Sequence, residues 1–539
     1  MNLRAYHELH AKSILAQLRS SVHREHAAMK LLPSANRDCF HRSILLVVAF
    51  VVAMSLLTFG STSALYVAQN AAGSDSGVDC SNAHSAAWFN SNANWGANSS
   101  QIGPGSTVHL CGTFTGSVNA TILTIHGSGT TGKSITILWE SGASLTSPAC
   151  SACIQGNGNS YLVFDGNCAA PCATPSITNT ANGSSLANQI GNGGIQASPC
   201  QSCEFKNLTI TNIYVHNSPS DTTNGDGLGI DVNGSNWSVH DSYFDQMYIG
   251  INSAYQNGDT NVQIYNNTVD HFNWGIHIGN NAPSSLSNVF IHNNHLKNMN
   301  NWDTTTDAFH HDGLFVVQNN YSASITNVQM YNNLFDGLMS TCSPNTCATA
   351  WIYYNTGMNG IYIYNNVILG DGSSFLLEGG VTGDKNFYFY NNFLSCTSGA
   401  PTGNQALAYS NVQGFVFQNN AVQNCSTSQG PFYLVNITSK AFDYNVYQNY
   451  KSGETHSLDV SSLVVDSSGV PQVGSPLIHN GTSNFLNLGP SCNTFVGLCS
   501  DYAGGARPSS GSWNWESGAY MLGSSQHPNP PTGLVAVVN

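Results

Sequence analysis

Positive charge is what this chain has least of. Lys and Arg number 14 in 539 residues, against 28 Asp and Glu. Seven of those cations precede residue 44; after it come only Lys133, Lys206, Lys297, Lys385, Lys440, Lys451 and Arg507, facing 25 acids, a balance of about −18. Such a balance excludes charge-driven binding to nucleic acid or to an anionic membrane surface. Long apolar runs are also missing. The most apolar stretch, 44–57, has 14 residues, short of the roughly 18 or more that a spanning helix needs. No helical apolar period separates the strand-like runs, which excludes a doubly wound α/β sheet.

What is present is a repeat. The sequence NVQIYNNTV (261–269) returns as NVFIHNNHL (288–296), NVQMYNNLF (327–335), GIYIYNNVI (360–368), NFYFYNNFL (386–394) and GFVFQNNAV (414–422). Two looser copies precede them, NLTITNIYV (207–215) and NWSVHDSYF (236–244), and the starts are spaced 29, 25, 27, 39, 33, 26 and 28 residues apart. Periods in this range denote stacked units. Apolar second and fourth positions give the period of a strand with one buried face. The sixth position is Asn212, Asn266, Asn293, Asn332, Asn365, Asn391 or Asn419, with Asp241 as the variant. Each unit therefore reads as strand, polar corner, strand, and the sixth-position Asn is expected to ladder between units. The expected fold is all-β, a solenoid of roughly ten or more coils of about 25–29 residues.

This pattern resembles the right-handed parallel β-helix of the pectate lyase and polygalacturonase-like superfamily, over 65–525. The leading coils (66–145) and the closing motifs GSPLIHNG (474–481), DYAGGARP (501–508) and WNWESGAY (513–520) are similar to the two ends of such proteins, although the closing segment usually carries Asp where Asn514 stands. The resemblance implies action on, or binding of, polysaccharide. The alternative is a non-catalytic carbohydrate-binding or structural surface rod.

Ahead of the solenoid, residues 1–43 are basic and His-rich. Residues 44–64 then read as a secretory signal or signal anchor, with Arg37 and Arg42 before the apolar run and Ser61, Thr62, Ser63 and Ala64 after it. This segment would engage the membrane at export, leaving an extracellular or cell-surface protein, expected as a monomer. Residues 526–539 form a Pro-rich tail. Fourteen cysteines follow the signal. The close pairs Cys150 and Cys153, Cys168 and Cys172, Cys200 and Cys203, Cys342 and Cys347, Cys492 and Cys499 suit disulfides outside the cell better than zinc knuckles. Cys80 with Cys111, and Cys396 with Cys425, complete the set.

Between the repeats runs a second strand family: DGLGIDV (226–232), YIGIN (248–252), WGIHI (274–278) and DGLFV (312–316). An inward aliphatic residue turns its successor outward, so Asp231, Asn252 and His277 are expected about 5 Å apart in a row. The glycine column Gly229, Gly250, Gly275, Gly313 reads as room for a ligand beside that row. The 39-residue spacing inserts NNWDTTTDAFHHDGL (300–314), the densest titratable cluster after the signal. Within it Asp307, His310, His311 and Asp312 are the catalytic candidates; Asp231, Asn252, His277, Tyr248, Trp274 and Trp351 are the substrate-binding ones, the three aromatics as platforms for sugar rings.

Three chemistries fit the candidates. A hydrolase needs two carboxyls, about 5 Å apart for retention or 6.5–9.5 Å for inversion, which Asp307 with Asp312, or Asp231 with Asp312, would supply. NGDGLGIDVNGSNWSVHDSYF (224–244) is similar to the polygalacturonase sequence around its first catalytic Asp, matching Asp226. The paired Asp falls at Met247-Tyr248, however, and the Gly-His-Gly and Arg-Ile-Lys motifs are missing, so that mechanism does not transfer. Pectate lyase-like enzymes use Arg or Lys as base, often with Ca²⁺. Here a His or Tyr base would replace it, with Asp303 and Asp307 able to hold Ca²⁺. A metal hydrolase on His310, His311 and Asp312 would require a turn there, because neighbouring strand residues face opposite ways. No resident metal is assigned.

Overall fold

The alternation in the repeats gives the first strand of each coil. Val262, Val289, Val328, Ile361, Phe387 and Phe415 stand in register in a 14-stranded parallel sheet, and all are fully buried. The computed structural model describes residues 63–181, 193–213, 227–253, 259–280, 285–299, 311–318, 324–338, 350–354, 357–371, 373–377, 384–397, 406–425, 430–485, 495, 497–508 and 515–524. These described residues belong to one compact unit, a right-handed parallel β-helix.

Each coil carries three strand segments, as in Leu286–His292, His295–Lys297 and Asp312–Gln318. First segments build the 14-stranded sheet. Second and third segments merge into a 22-stranded one, because Tyr243–Ser253 and Thr268–Asn280 each run through both. Every named strand pairing is parallel, and the core is one continuous apolar stack.

The corner between first and second segments divides its labour between two residues. The sixth repeat position supplies the backbone: Asp241, Asn266, Asn293, Asn332, Asn365, Asn391 and Asn419 have φ of 51–60°, a left-handed conformation that Asn and Asp tolerate best among residues with a side chain. Of the ladder expected in this column one rung is present among the described residues, Asn266 Nδ2 donating to Asp241 Oδ1 at 3.1 Å; the continuous ladder is carried by the seventh position. Asn267 Nδ2 donates to Asn294 Oδ1 at 3.0 Å, Asn294 to Asn333 at 3.1 Å, Asn333 to Asn366 at 3.0 Å, Asn366 to Asn392 at 3.0 Å, Asn392 to Asn420 at 3.0 Å and Asn420 to Asn445 at 3.3 Å. These side chains are buried, so each amide serves both the stack and a neighbouring backbone carbonyl.

The earliest repeat is also corrected. Thr209 pairs with Tyr243, and Tyr243 with Thr268. Asn207 therefore takes the corner place of Asp241, and the first segment of that coil is Glu204–Lys206. The copy read from Asn207 is displaced because Asn207 and Asn212 share the five-residue spacing of two different corners. Asn212 belongs to the next one, with φ of 60°.

Five expected disulfides are present: Cys80–Cys111, Cys150–Cys153, Cys168–Cys172, Cys200–Cys203 and Cys396–Cys425. Cys499 is also disulfide-bonded, while Cys342, Cys347 and Cys492 lie outside the described residues. The closing segment is structural. Phe485, Phe495, Leu498 and Trp515 pack on Tyr331, Tyr364 and Tyr390 of the 14-stranded sheet. Arg507 is buried beneath Trp515 and donates to the carbonyls of Gly518 and Ala519 at 3.0 and 3.1 Å. The apolar run 44–57 and the tail 526–539 lie outside the described residues, among which no helix is long and apolar enough to cross a membrane. The first strand, Ala64–Ala68, begins inside the small-residue stretch that follows that run and pairs with Thr107–Cys111.

Candidate functional site

The third strand segments place their side chains by one rule. Ile195, Ile230, Ile251, Ile276, Leu314 and Ile352 form an inward column, fully buried and stabilising by about 1.5–3 kcal/mol per side chain. The next residue on each strand faces outward. Gln196, Asp231, Asn252, His277, Phe315 and Tyr353 thus stand in one row along the stack. Asp231, Asn252 and His277 are adjacent in it, as the sequence implies.

The first half of this row is a hydrogen-bonded relay. Ser198 Oγ donates to Asp231 Oδ2 at 3.1 Å, and Asn252 Nδ2 donates to Asp231 Oδ1 at 2.8 Å. Asn252 Oδ1 is 2.8 Å from His277 Nδ1. Donor logic assigns the protons. A carboxylate only accepts, so the Asn252 amide must turn its NH₂ to Asp231 and its carbonyl to His277. His277 Nδ1 then carries a proton, and Nε2 is the basic nitrogen of the ring. A methyl group on Gly279 would lie 3.1 Å from that Nε2.

Aromatic rings surround the imidazole. Phe315 stacks on it with centroids 5.0 Å apart, and Trp274 meets it edge-on at 5.2 Å. Trp274 also touches Phe315 at 4.7 Å and Tyr248 at 5.7 Å, and Tyr353 lies 5.0 Å beyond Phe315. These side chains form small clusters apart from the main core.

Two readings of the sequence are overturned. The glycine column does not face a ligand. A Cβ on Gly275 would lie 2.5 Å from Gly313 O and 2.6 Å from Leu296 Cδ2, and one on Gly250 would lie 2.6 Å from Gly275 O and 2.8 Å from Val269 Cγ1. The column points into the core at the bend between second and third segments, where neighbouring coils approach too closely for a side chain. Trp351 is the residue that continues this column after Gly313. It is 1 % exposed, packs in the core against Phe335, and presents no face to a sugar.

Asp312 follows Trp274 in a second outward column, Leu228, Ile249, Trp274, Asp312, Ala350. Asp312 and His311 are both fully buried. Asp307 and His310 lie outside the described residues, as does Asp303.

A second titratable group sits on the second segments. Asp245, Asp270, Lys297 and Asp336 form an outward column. His271 Nδ1 is 3.0 Å from Asp245 Oδ1 and 3.1 Å from Asp270 Oδ1. Lys297 Nζ is 2.8 Å from Asp270 Oδ2, and Asn298 Nδ2 donates to Asp270 Oδ1 at 2.7 Å. Burial alone would raise the Asp270 carboxyl, but Lys297, Asn298 and His271 together hold it below its ordinary range, whereas burial pushes Asp245 up. Asp245, Asp270 and His271 offer ligand atoms within 4.8 Å of one another, the one such set among the described residues. Lys297 already neutralises Asp270, so a cation there would compete with it. The sequence carried the signal for this group in the residue after the ninth repeat position, which continues the outward face of the strand.

No family model matches the chain, and no curated protein matches it. Solved structures do. XylC in complex with xylose matches at 10 % identity, over 85 % of this chain and 98 % of its own, with a TM-score of 0.41. Pectate lyase Pel9A matches at 14 % identity over 83 % of this chain and 96 % of its own, with a TM-score of 0.33. The family 28 exopolygalacturonase of Yersinia enterocolitica matches at 14 % identity over 63 % of this chain and 73 % of its own, with a TM-score of 0.36. The parallel β-helix of this chain is established by its own strand pairings.

Proposed function

We propose that this is an exported polysaccharide-active protein whose site is the outward row on the third segments, with His277 as its base. The observation that carries the reading is the Asp231–Asn252–His277 relay. It fixes the imidazole tautomer and ends at an imidazole packed against two aromatic rings, Trp274 and Phe315. Of these rings the half-buried Trp274 offers an apolar surface to the C–H faces of sugars, while Phe315, Tyr353 and the imidazole are themselves buried; a positioned imidazole is the commonest general base. Five disulfides support export to an oxidising compartment.

The reaction that suits these groups is hydrolysis. His277 Nε2 takes a proton from water as the water oxygen bonds to the anomeric carbon. The glycosidic C–O bond breaks, and its oxygen leaves with a proton from a carboxylic acid, for which Asp312 in the adjoining outward column is the candidate. A second reading, a non-catalytic glycan-binding rod, is favoured by the burial of Asp312 and His311 and by that of His277, which is 4 % exposed. Incubating the purified protein with a panel of neutral and uronic-acid polysaccharides separates the two. Reducing ends without unsaturated uronate support hydrolysis. Retention on a glycan column with no new reducing ends supports the rod. Neither reducing ends nor retention on any glycan rejects the site.

A further inference from the structure

We infer that the polysaccharide taken by this site is neutral, and that uronic-acid chains are excluded by charge. The inference rests on the site proposed above and adds its substrate class.

The first observation is an accounting of cations. Between Lys206 and Lys385 the chain has one Lys or Arg, Lys297, and 14 acids. All third segments from Leu228–Asp231 to Ser373–Leu377 fall in that span, as do the sequence stretches that join them. Lys297 stands on a second segment, with Nζ 2.8 Å from Asp270. Lys206 is on a first segment, 3.0 Å from Glu204, and Lys385 and Lys440 are also on first segments. Arg507 is buried in the closing segment among backbone carbonyls. Lys133 and Lys451 precede and follow the whole span.

The second observation is what the row offers instead. It carries the Asp231 carboxylate, and the adjoining column carries Asp312. Recognition of a uronate carboxylate is the work of a cationic fork or ammonium, Arg above all, and none stands on these segments. Each uronate brought against Asp231 adds a like-charge contact, and such contacts serve to reject a partner. Elimination has a further need, because the carboxylate beside the departing proton must be neutralised. The remaining partly exposed groups are the Trp274 ring, the Gln196 amide and the Ser198 hydroxyl, beside the buried Phe315, Tyr353 and Asn252. Those match the hydroxyls and C–H faces of uncharged sugars.

The test uses one backbone in two charge states. A galacturonan, its fully methyl-esterified form and its carboxyl-reduced form are titrated against the purified protein at about 20 and 300 mM salt, each with added Ca²⁺ and with chelator. The expected result is at least tenfold tighter binding of the esterified and reduced forms at low salt, a gap that narrows at high salt as screening grows. A Gln196→Lys variant, with a cation one rung before Asp231, is expected to shift the ratio of acid to neutral affinity at least threefold towards the acid. Equal or tighter binding of the acid, with Ca²⁺ or without, overturns the inference and leaves the polysaccharide reading standing. Binding of neutral glycans outside this set, with rejection of all uronans, supports it. No binding of any glycan, neutral or acidic, overturns both.

Discussion

Asn333 gives the sharpest test of how this chain holds its coils together. Its side chain is fully buried. Oδ1 accepts from Asn294 N and from Asn294 Nδ2, both at 3.1 Å, while Nδ2 donates to Ile291 O at 2.9 Å and to Asn366 Oδ1 at 3.0 Å. In Asn333→Ala the Asn294 amide side chain keeps Ile264 O as partner, and Asn366 Oδ1 keeps the Asn333 backbone N–H. The Asn294 backbone N–H and the Ile291 carbonyl each lose this partner. At about 1–3 kcal/mol for each of these two buried groups, the expected cost is about 2–6 kcal/mol, measured by denaturant unfolding followed by circular dichroism. The neighbouring corner residue is the control. Asn332 has φ of 53°, which glycine adopts without strain, so Asn332→Gly should change stability by less than about 1 kcal/mol. The assignment of the ladder to the seventh position is refuted if Asn332→Gly costs more than Asn333→Ala.

Other perturbations probe other links. Asp384 accepts from the Met358 N–H at 2.9 Å, and burial pushes its carboxyl up to about 6. The folded chain therefore binds its proton more tightly than the unfolded one, and this residue's contribution to stability falls as pH rises from about 4 to 6. Asp384→Asn should leave the melting temperature unchanged at pH 4 and raise it at pH 7.5; a rise at both would contradict the assignment. Glu204 behaves oppositely: its hydrogen bond to His240 holds it down at about 2, so stability is lost as pH falls from about 4.5 towards 2, and Glu204→Gln should flatten that loss in acid melts. Gly275→Ala would set a methyl 2.5 Å from Gly313 O, and overpacking of this kind should cost about 1–3 kcal/mol in the same denaturant assay. Gly279→Ala sets a methyl 3.1 Å from His277 Nε2, so glycan turnover should fall at least tenfold while the melting temperature moves little; unchanged turnover would remove Nε2 from the site.

The coil was legible because its period survives any detail of packing. Val262 and Ile264, Val289 and Ile291, and Val328 and Met330 recur at the same two alternate positions of each repeat, and a parallel stack is the arrangement that buries all of them at once. The close cysteine pairs were legible by proximity. Division of labour at the corner was not, since adjacent Asn residues read alike and only backbone conformation separates Asn266 from Asn267. The orientation of the glycine column was hidden for a related reason. At Gly250 and Gly275 the strand bends, so strict alternation fails, and a residue read as facing a ligand faces Val269 and Leu296 instead. Trp351 was misplaced by the same bend. Of the candidate site, Asp231, Asn252 and His277 came out of register arithmetic alone. Their relay depends on side-chain rotamers that no spacing encodes. The pairing of His271 with Asp245 and Asp270 lies just beyond the nine-residue repeat, where the apolar period no longer marks which side chains meet.

The most direct test of the site is the initial rate at which purified wild-type protein and a His277→Gln variant release reducing ends from the neutral polysaccharide that the protein binds. Loss of a positioned general base is expected to lower that rate by about 10²–10⁴-fold, with glycan retention unchanged and no unsaturated uronate formed by either protein. Equal rates from the two proteins would contradict the assignment of His277, and no release by the wild type would contradict catalysis at this row.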